Sequence, residues 1–183
     1  MPRPFARAAC LALALALAFL VAAGQNRRGG VPLPERYEDK ERGYVVRYPA
    51  DYEMQDGLDA STKVFASPED RELDIFRENF AVLVRGYDKP VSLAEARVAV
   101  KKEMEAQGAK LTDSGDRAKL AGRDAHRFVW SIRLGGFDLL LVQLVTTVKD
   151  RVYVVTYAFE RGSEHRHRPT ADAMANAFEI TYK

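Results

Sequence analysis

Residues 124–159, DAHRFVWSIRLGGFDLLLVQLVTTVKDRVYVVTYAF, hold three runs of β-branched and aromatic residues separated by two short breaks. The runs cover residues 125–133, 137–148 and 151–159, with Gly135-Gly136 and Lys149-Asp150 between them. Strands joined by so few residues can only turn back on themselves, so the stretch predicts a three-stranded antiparallel meander. A strand with one wet face alternates apolar and polar residues, yet Leu139-Leu140-Leu141-Val142 is apolar throughout. Both faces of the sheet are therefore expected to be covered there. Trp130, Tyr153 and Tyr157 are read as core and cross-strand packing residues, because aromatic side chains dominate core burial.

Upstream, Gly43-Tyr44-Val45-Val46-Arg47-Tyr48 predicts a strand stopped by Pro49, and Lys63-Val64-Phe65-Ala66-Ser67 one stopped by Pro68. A short strand is also expected from Tyr52 to Met54. Residues 79–87 alternate cleanly, with Phe80, Val82 and Val84 on one face and Ala81, Leu83 and Arg85 on the other. Ser92-Leu93-Ala94-Glu95 is a capping box, and Leu93, Ala96, Val100 and Met104 form the apolar stripe of the helix it opens. Gly108 is its expected stop. Residues 110–118 predict a further strand, and Leu120-Ala121-Gly122-Arg123 a turn into the meander. Downstream, residues 160–168 suggest one helical turn, and Pro169 suits the first turn of a second helix lined by Ala173, Met174, Ala177 and Phe178. Residues 179–182 end the chain as a short extended tail. The fold class is α+β: an antiparallel sheet flanked by helices on both faces, an α/β/α sandwich.

Arg3 and Arg7 open an N-terminus without acidic residues, residues 8–23 are weakly polar to apolar, and Val21, Ala22, Ala23 and Gly24 are small or compact. This is the pattern of a signal peptide over residues 1–23, followed by a flexible leader over 24–41 and one domain over 42–183. An exported, periplasmic protein without stable membrane insertion after cleavage is expected; an uncleaved anchor at the inner membrane is the alternative. Arg3 and Arg7 account for the whole formal charge of +2, so the domain is neutral, which argues against a nucleic-acid partner. Cys10, the single cysteine, sits at the beginning of the apolar run rather than its end, where a lipid-bearing cysteine stands. The domain thus lacks disulfides, cysteine nucleophiles and thiolate metal sites.

His165-Arg166-His167 is the only close histidine pair, but neighbours two apart on a helix diverge and no third ligand is signalled, so no metal is expected. The charge run Glu69-Asp70-Arg71-Glu72 lacks the alternate spacing of a calcium loop and reads as a solvated loop. His126 stands alone in its strand and is read as packed or surface-exposed. Gly135-Gly136 reads as a turn, and neither a nucleophile elbow nor a phosphate loop occurs. Neither catalytic residues nor a cofactor are assigned, and the ligand-binding residues stay unknown.

Gly43-Tyr44-Val45-Val46-Arg47-Tyr48-Pro49-Ala50-Asp51-Tyr52 resembles the opening strand, proline and aromatic of the PsbP/DcrB-like superfamily. Similar too are Asn79-Phe80-Ala81-Val82 before the capped helix, the Gly122-Arg123-Asp124-Ala125 turn, and the Arg168-Pro169 helix ending near Phe178-Glu179-Ile180. The resemblance implies an antiparallel sheet between helices. Its members include an extrinsic subunit of the plant oxygen-evolving complex, a nuclear Ran-binding protein, bacterial DcrB and chaperones of secreted toxins, most of which bind proteins. The expected function is a non-enzymatic module that binds or assists an envelope protein or assembly. Two alternatives stand beside it: a carrier of a small apolar ligand between sheet and helix, and a small hydrolase. The hydrolase, drawing on scattered carboxylates or His126, would need at least two titratable groups converging in one cleft.

Overall fold

The computed structural model describes residues 30–57, 61–69 and 76–183. The apolar run 8–23, Cys10 and most of the 69–72 charge run lie outside the described residues. Every described strand and helix belongs to one compact unit, Val31–Lys183.

Among the described residues, ten strands build two sheets. β1 (Glu35–Asp39), β2 (Tyr44–Tyr48) and β10 (Glu179–Ile180) form a small sheet in the order β1-β2-β10. The large sheet runs β3-β4-β5-β9-β8-β7-β6, from β3 (Glu53–Asp56), β4 (Thr62–Ala66) and β5 (Asn79–Gly86) across β9 (Arg151–Glu160), β8 (Phe137–Val148) and β7 (Arg123–Leu134) to β6 (Lys110–Leu120). All its pairings are antiparallel. Local turn chemistry explains the hairpins. Leu134 pairs with Phe137 across Gly135 and Gly136, whose φ values of 59° and 92° are those of a tight turn matching the strand twist.

Period two splits the large sheet into two cores. In β9, Val152 and Val154 join one cluster while Tyr153, Val155, Tyr157 and Phe159 join the other. The first cluster packs Phe128, Trp130 and Val145 under Ala96, Val100 and Met104 of α1 (Leu93–Ala106). Ser92 and Glu95 cap α1 as a box: Glu95 N donates to Ser92 Oγ at 3.2 Å and Ser92 N to Glu95 Oε2 at 2.9 Å. The second cluster is closed by Ala171, Met174 and Ala175 of α2 (Glu164–Asn176) together with Tyr44 and Val46 of the small sheet.

Two sequence expectations are corrected. The domain starts within the segment read as a leader, because β1 pairs with β2 from Glu35↔Tyr48 to Asp39↔Tyr44. Tyr37 is its one large apolar residue and packs 5.9 Å from Phe65 and 6.0 Å from Tyr44, too thin a signal for periodicity. Residues 160–168 and the Pro169 helix are not separate: α2 runs continuously from Glu164, with Pro169 inside. Arg166 N bonds Ser163 O at 3.0 Å, so a tight first turn precedes the proline, and burial of the C-terminal half offsets the bond that proline cannot make.

Gly136→Ala should cost roughly 1–2 kcal/mol, since φ is 92° and a Cβ meets no atom within 4 Å, leaving only backbone strain. Gly86→Ala, equally open but without a positive φ, should change stability by less than about 0.5 kcal/mol in the same urea-unfolding measurement.

Candidate functional site

Among the described residues, two clefts have a lining histidine set beside a carboxylate. The first, of about 460 Å³, is walled by Pro32, Pro34, Pro49, Tyr52 and Pro68, with Ser67 and His167 among its polar residues. Glu78, only 4% exposed, adjoins two of its lining residues, His167 and Ser67. Ser163 Oγ donates to Glu78 Oε1, and His167 Nε2 stands 3.6 Å from Glu78 Oε2. Ser67 is 1% exposed, and its Oγ has no hydrogen-bond partner among the described residues. A buried hydroxyl left without a partner loses its solvation with nothing in return, which marks a place where an incoming polar atom would be stabilised.

The second cleft, of about 360 Å³, lies where α1 faces β6 and β7. His126 is 5% exposed and its ring packs 4.2 Å from that of Phe128. Ser114 Oγ lies 2.9 Å from His126 Nε2, and His126 Nδ1 bonds Asp116 Oδ1. Arg97 Nη1 also reaches Asp116, at 3.1 Å. The hydrogen bond to His126, with Arg97 and His126 charge adding to it, holds the Asp116 carboxyl below the ordinary aspartate value. An ionised carboxylate only accepts, so Nδ1 donates to it; in the neutral ring Nε2 then accepts from the Ser114 hydroxyl, and in the charged ring Nε2 donates to Ser114 Oγ.

A shift in strand register makes this contact. Near the Ala121-Gly122 turn, Leu120 faces Arg123, Lys119 faces Asp124 and Ala118 faces Ala125. Continued unchanged, that register would set Arg117 opposite His126, and Ser114 opposite Val129 in the other core. The ladder instead shifts between Gly115 and Ala118, so that Ser114 faces Phe128 on the His126 face. Asp116 falls inside the bulge, where an extra residue re-aims side chains.

Other singled-out residues serve structure. Trp130 is fully buried and its Nε1 donates to Gln143 Oε1 at 2.8 Å; Gln143 Nε2 in turn reaches Thr156 Oγ1 at 3.2 Å. Tyr153 donates to Arg42 O at 2.8 Å, and Tyr157 stacks on Phe80, its hydroxyl pushed well up by burial. His165 and His167 do not converge: His165 Nδ1 lies 3.1 Å from Gly162 O, whereas His167 turns to Glu78. Among the described residues no group of three or more His, Cys, Asp or Glu could hold a metal ion. No described helix is long and apolar enough to cross a membrane. His126 does not stand alone, and Ser114, Asp116, Ser67 and Glu78 escaped the sequence reading. The one local hint was Ser114-Gly115-Asp116, two polar residues flanking a glycine just before a hairpin turn.

No family model and no curated protein matches the chain. Solved structures do. CyanoP, the cyanobacterial PsbP of Synechocystis sp. PCC 6803, superposes with a TM-score of 0.56 and 20% identity over 85% of this chain and 98% of that one. LpqN of Mycobacterium tuberculosis, involved in cell envelope biogenesis, gives 0.53 and 12% identity over 81% of this chain and 90% of that one. A protein of Bacteroides thetaiotaomicron gives 0.56 and 12% identity over 83% of this chain, which spans 50% of that chain's length. The fold is thus like that of CyanoP and LpqN, an α+β arrangement of antiparallel sheets with two helices among the described residues.

Three carboxylates tie β6 to β7. Asp113 is held low by the Arg127 guanidinium, Asp124 by the Lys119 ammonium and Asp116 by His126. Folded values below the ordinary 3.8 stabilise the protein above that pH, and the contribution is lost as pH falls through the lowered folded values. The thermal midpoint of wild type should therefore exceed that of the Asp113→Asn/Asp124→Asn variant at about pH 6 and converge on it as pH falls through the lowered folded values, a small difference because both groups are exposed.

Proposed function

We propose that this protein is an exported module of the bacterial cell envelope that acts by binding a protein partner or assembly, with no turnover at the proline-walled cleft. The carrying observation is that cleft: apolar walls from Pro32, Pro34, Pro49, Tyr52 and Pro68 around the buried Ser67 hydroxyl, which has no partner among the described residues. Such a cleft suits an extended segment that buries apolar side chains against the proline and tyrosine walls. The fold likeness to LpqN, described as involved in cell envelope biogenesis, supports the setting. The N-terminal pattern of Arg3, Arg7 and the apolar run supports export, with the periplasm as the destination.

Crosslinking in the source cells, followed by capture of the tagged protein and mass spectrometry, tests the reading. One envelope protein should be recovered at near-stoichiometric yield by wild type, and about tenfold less by Tyr52→Asp, which places a charge on the apolar wall. A clean protein background with a co-purifying lipid or metabolite would replace the adaptor with the carrier.

A further inference from the structure

Beyond binding, we infer that Ser114, His126 and Asp116 form a nucleophilic site that cleaves small acyl esters in the cleft between α1 and β6. The three groups stand in the order this chemistry needs: nucleophile, base, orienting carboxylate. Ser114 Oγ is 2.9 Å from His126 Nε2, and Nδ1 of the same ring is engaged by Asp116. The imidazole is fixed by burial and by its packing on Phe128, whereas Ser114 sits on an exposed position of β6, open to a substrate. A general base therefore meets a reachable hydroxyl, the geometric condition for activating it.

The cleft also states a substrate class. Val98 and Leu111, 64% and 37% exposed, give it an apolar rim with Phe128 at its floor, room for a short acyl chain. Arg97 and Lys101 line the same cleft and bring positive charge to it, Arg97 through its 3.1 Å contact with Asp116 and Lys101 beside Glu105 at 3.8 Å. At about 360 Å³ the volume admits a small ester rather than a polymer.

The reaction balances without a further reactant except water. Ser114 Oγ bonds to the ester carbonyl carbon while its proton passes to His126 Nε2. The ester C–O bond then breaks, and the leaving oxygen takes that proton and departs as an alcohol. Water adds to the acyl-serine carbon, giving a proton to Nε2; the Ser114 Oγ–C bond breaks and Oγ recovers the proton. The net change is ester plus water to carboxylic acid plus alcohol.

The full chain is treated with a fluorophosphonate probe and, separately, with p-nitrophenyl acetate. The expected result is one covalent adduct, mapped by peptide mass spectrometry to Ser114, and ester hydrolysis that falls by at least about 100-fold in Ser114→Ala. Because Ser114 is exposed, that variant should keep the wild-type circular dichroism spectrum and thermal midpoint, so its loss reads chemistry and not unfolding. Asp116→Asn, on an exposed carboxylate, should slow labelling at Ser114 by about tenfold or more by releasing the imidazole from its tautomer. An adduct elsewhere, no adduct, or hydrolysis equal in wild type and Ser114→Ala overturns the assignment. Partner capture should be unchanged in Ser114→Ala and ester hydrolysis unchanged in Tyr52→Asp, so failure of this site and failure of the binding reading are separable.

Discussion

Burial of both faces of β8 and β9 is the constraint on which the structure depends. Along β9 successive side chains enter different cores, Val152 and Val154 under α1, and Tyr153, Val155 and Tyr157 under α2 and the small sheet. A strand buried in this way cannot slip by one residue without exchanging the two sets, so register is strongly specified. Gln143 sharpens the specification. It is buried and polar, and it is satisfied by Trp130 on one neighbouring strand and Thr156 on the other, a ladder that exists in only one alignment of β7, β8 and β9.

Rigidity at the centre leaves irregularity to the edges. β3 and β6 are the edge strands of the large sheet, and both are mostly exposed. β3 carries Glu53 and Asp56; β6 carries Lys110, Asp113, Asp116, Arg117 and Lys119 and is shifted twice in register against β7. Charge and bulges both blunt an edge against pairing with another chain. The second shift has a chemical result as well, since it turns Ser114 and Asp116 onto the face that holds His126. The same device protects an edge and assembles a constellation.

The proline-walled cleft comes from a different logic. Its walls arrive from the segment before β1, the turn between β2 and β3, the end of β4, and α2. Four separate stretches meet there because the small sheet and α2 close the second core together. Ser67 and Glu78 are neighbours across the connection that returns β4 to β5, where Ser67 N donates to Glu78 O at 2.8 Å. That bond satisfies the backbone while leaving the Ser67 hydroxyl without a partner among the described residues.

Where a signal is carried by adjacent residues, the sequence alone determined the outcome. The Gly135-Gly136 and Ala121-Gly122 turns follow from backbone freedom at single positions, the α1 start from the Ser92–Glu95 box, and the faces of β5 from strict alternation. The α+β class with antiparallel sheets was legible for the same reason. What depends on two distant segments was left to the tertiary structure. β1 becomes a strand only because β2 offers it a partner and Phe65 a surface for Tyr37. α2 crosses Pro169 because burial of Ala171, Met174 and Ala175 outweighs a missing hydrogen bond. The Ser114–His126–Asp116 contact needed a one-residue bulge, and its position depends on how both strands bury their side chains, which neither strand's local pattern encodes.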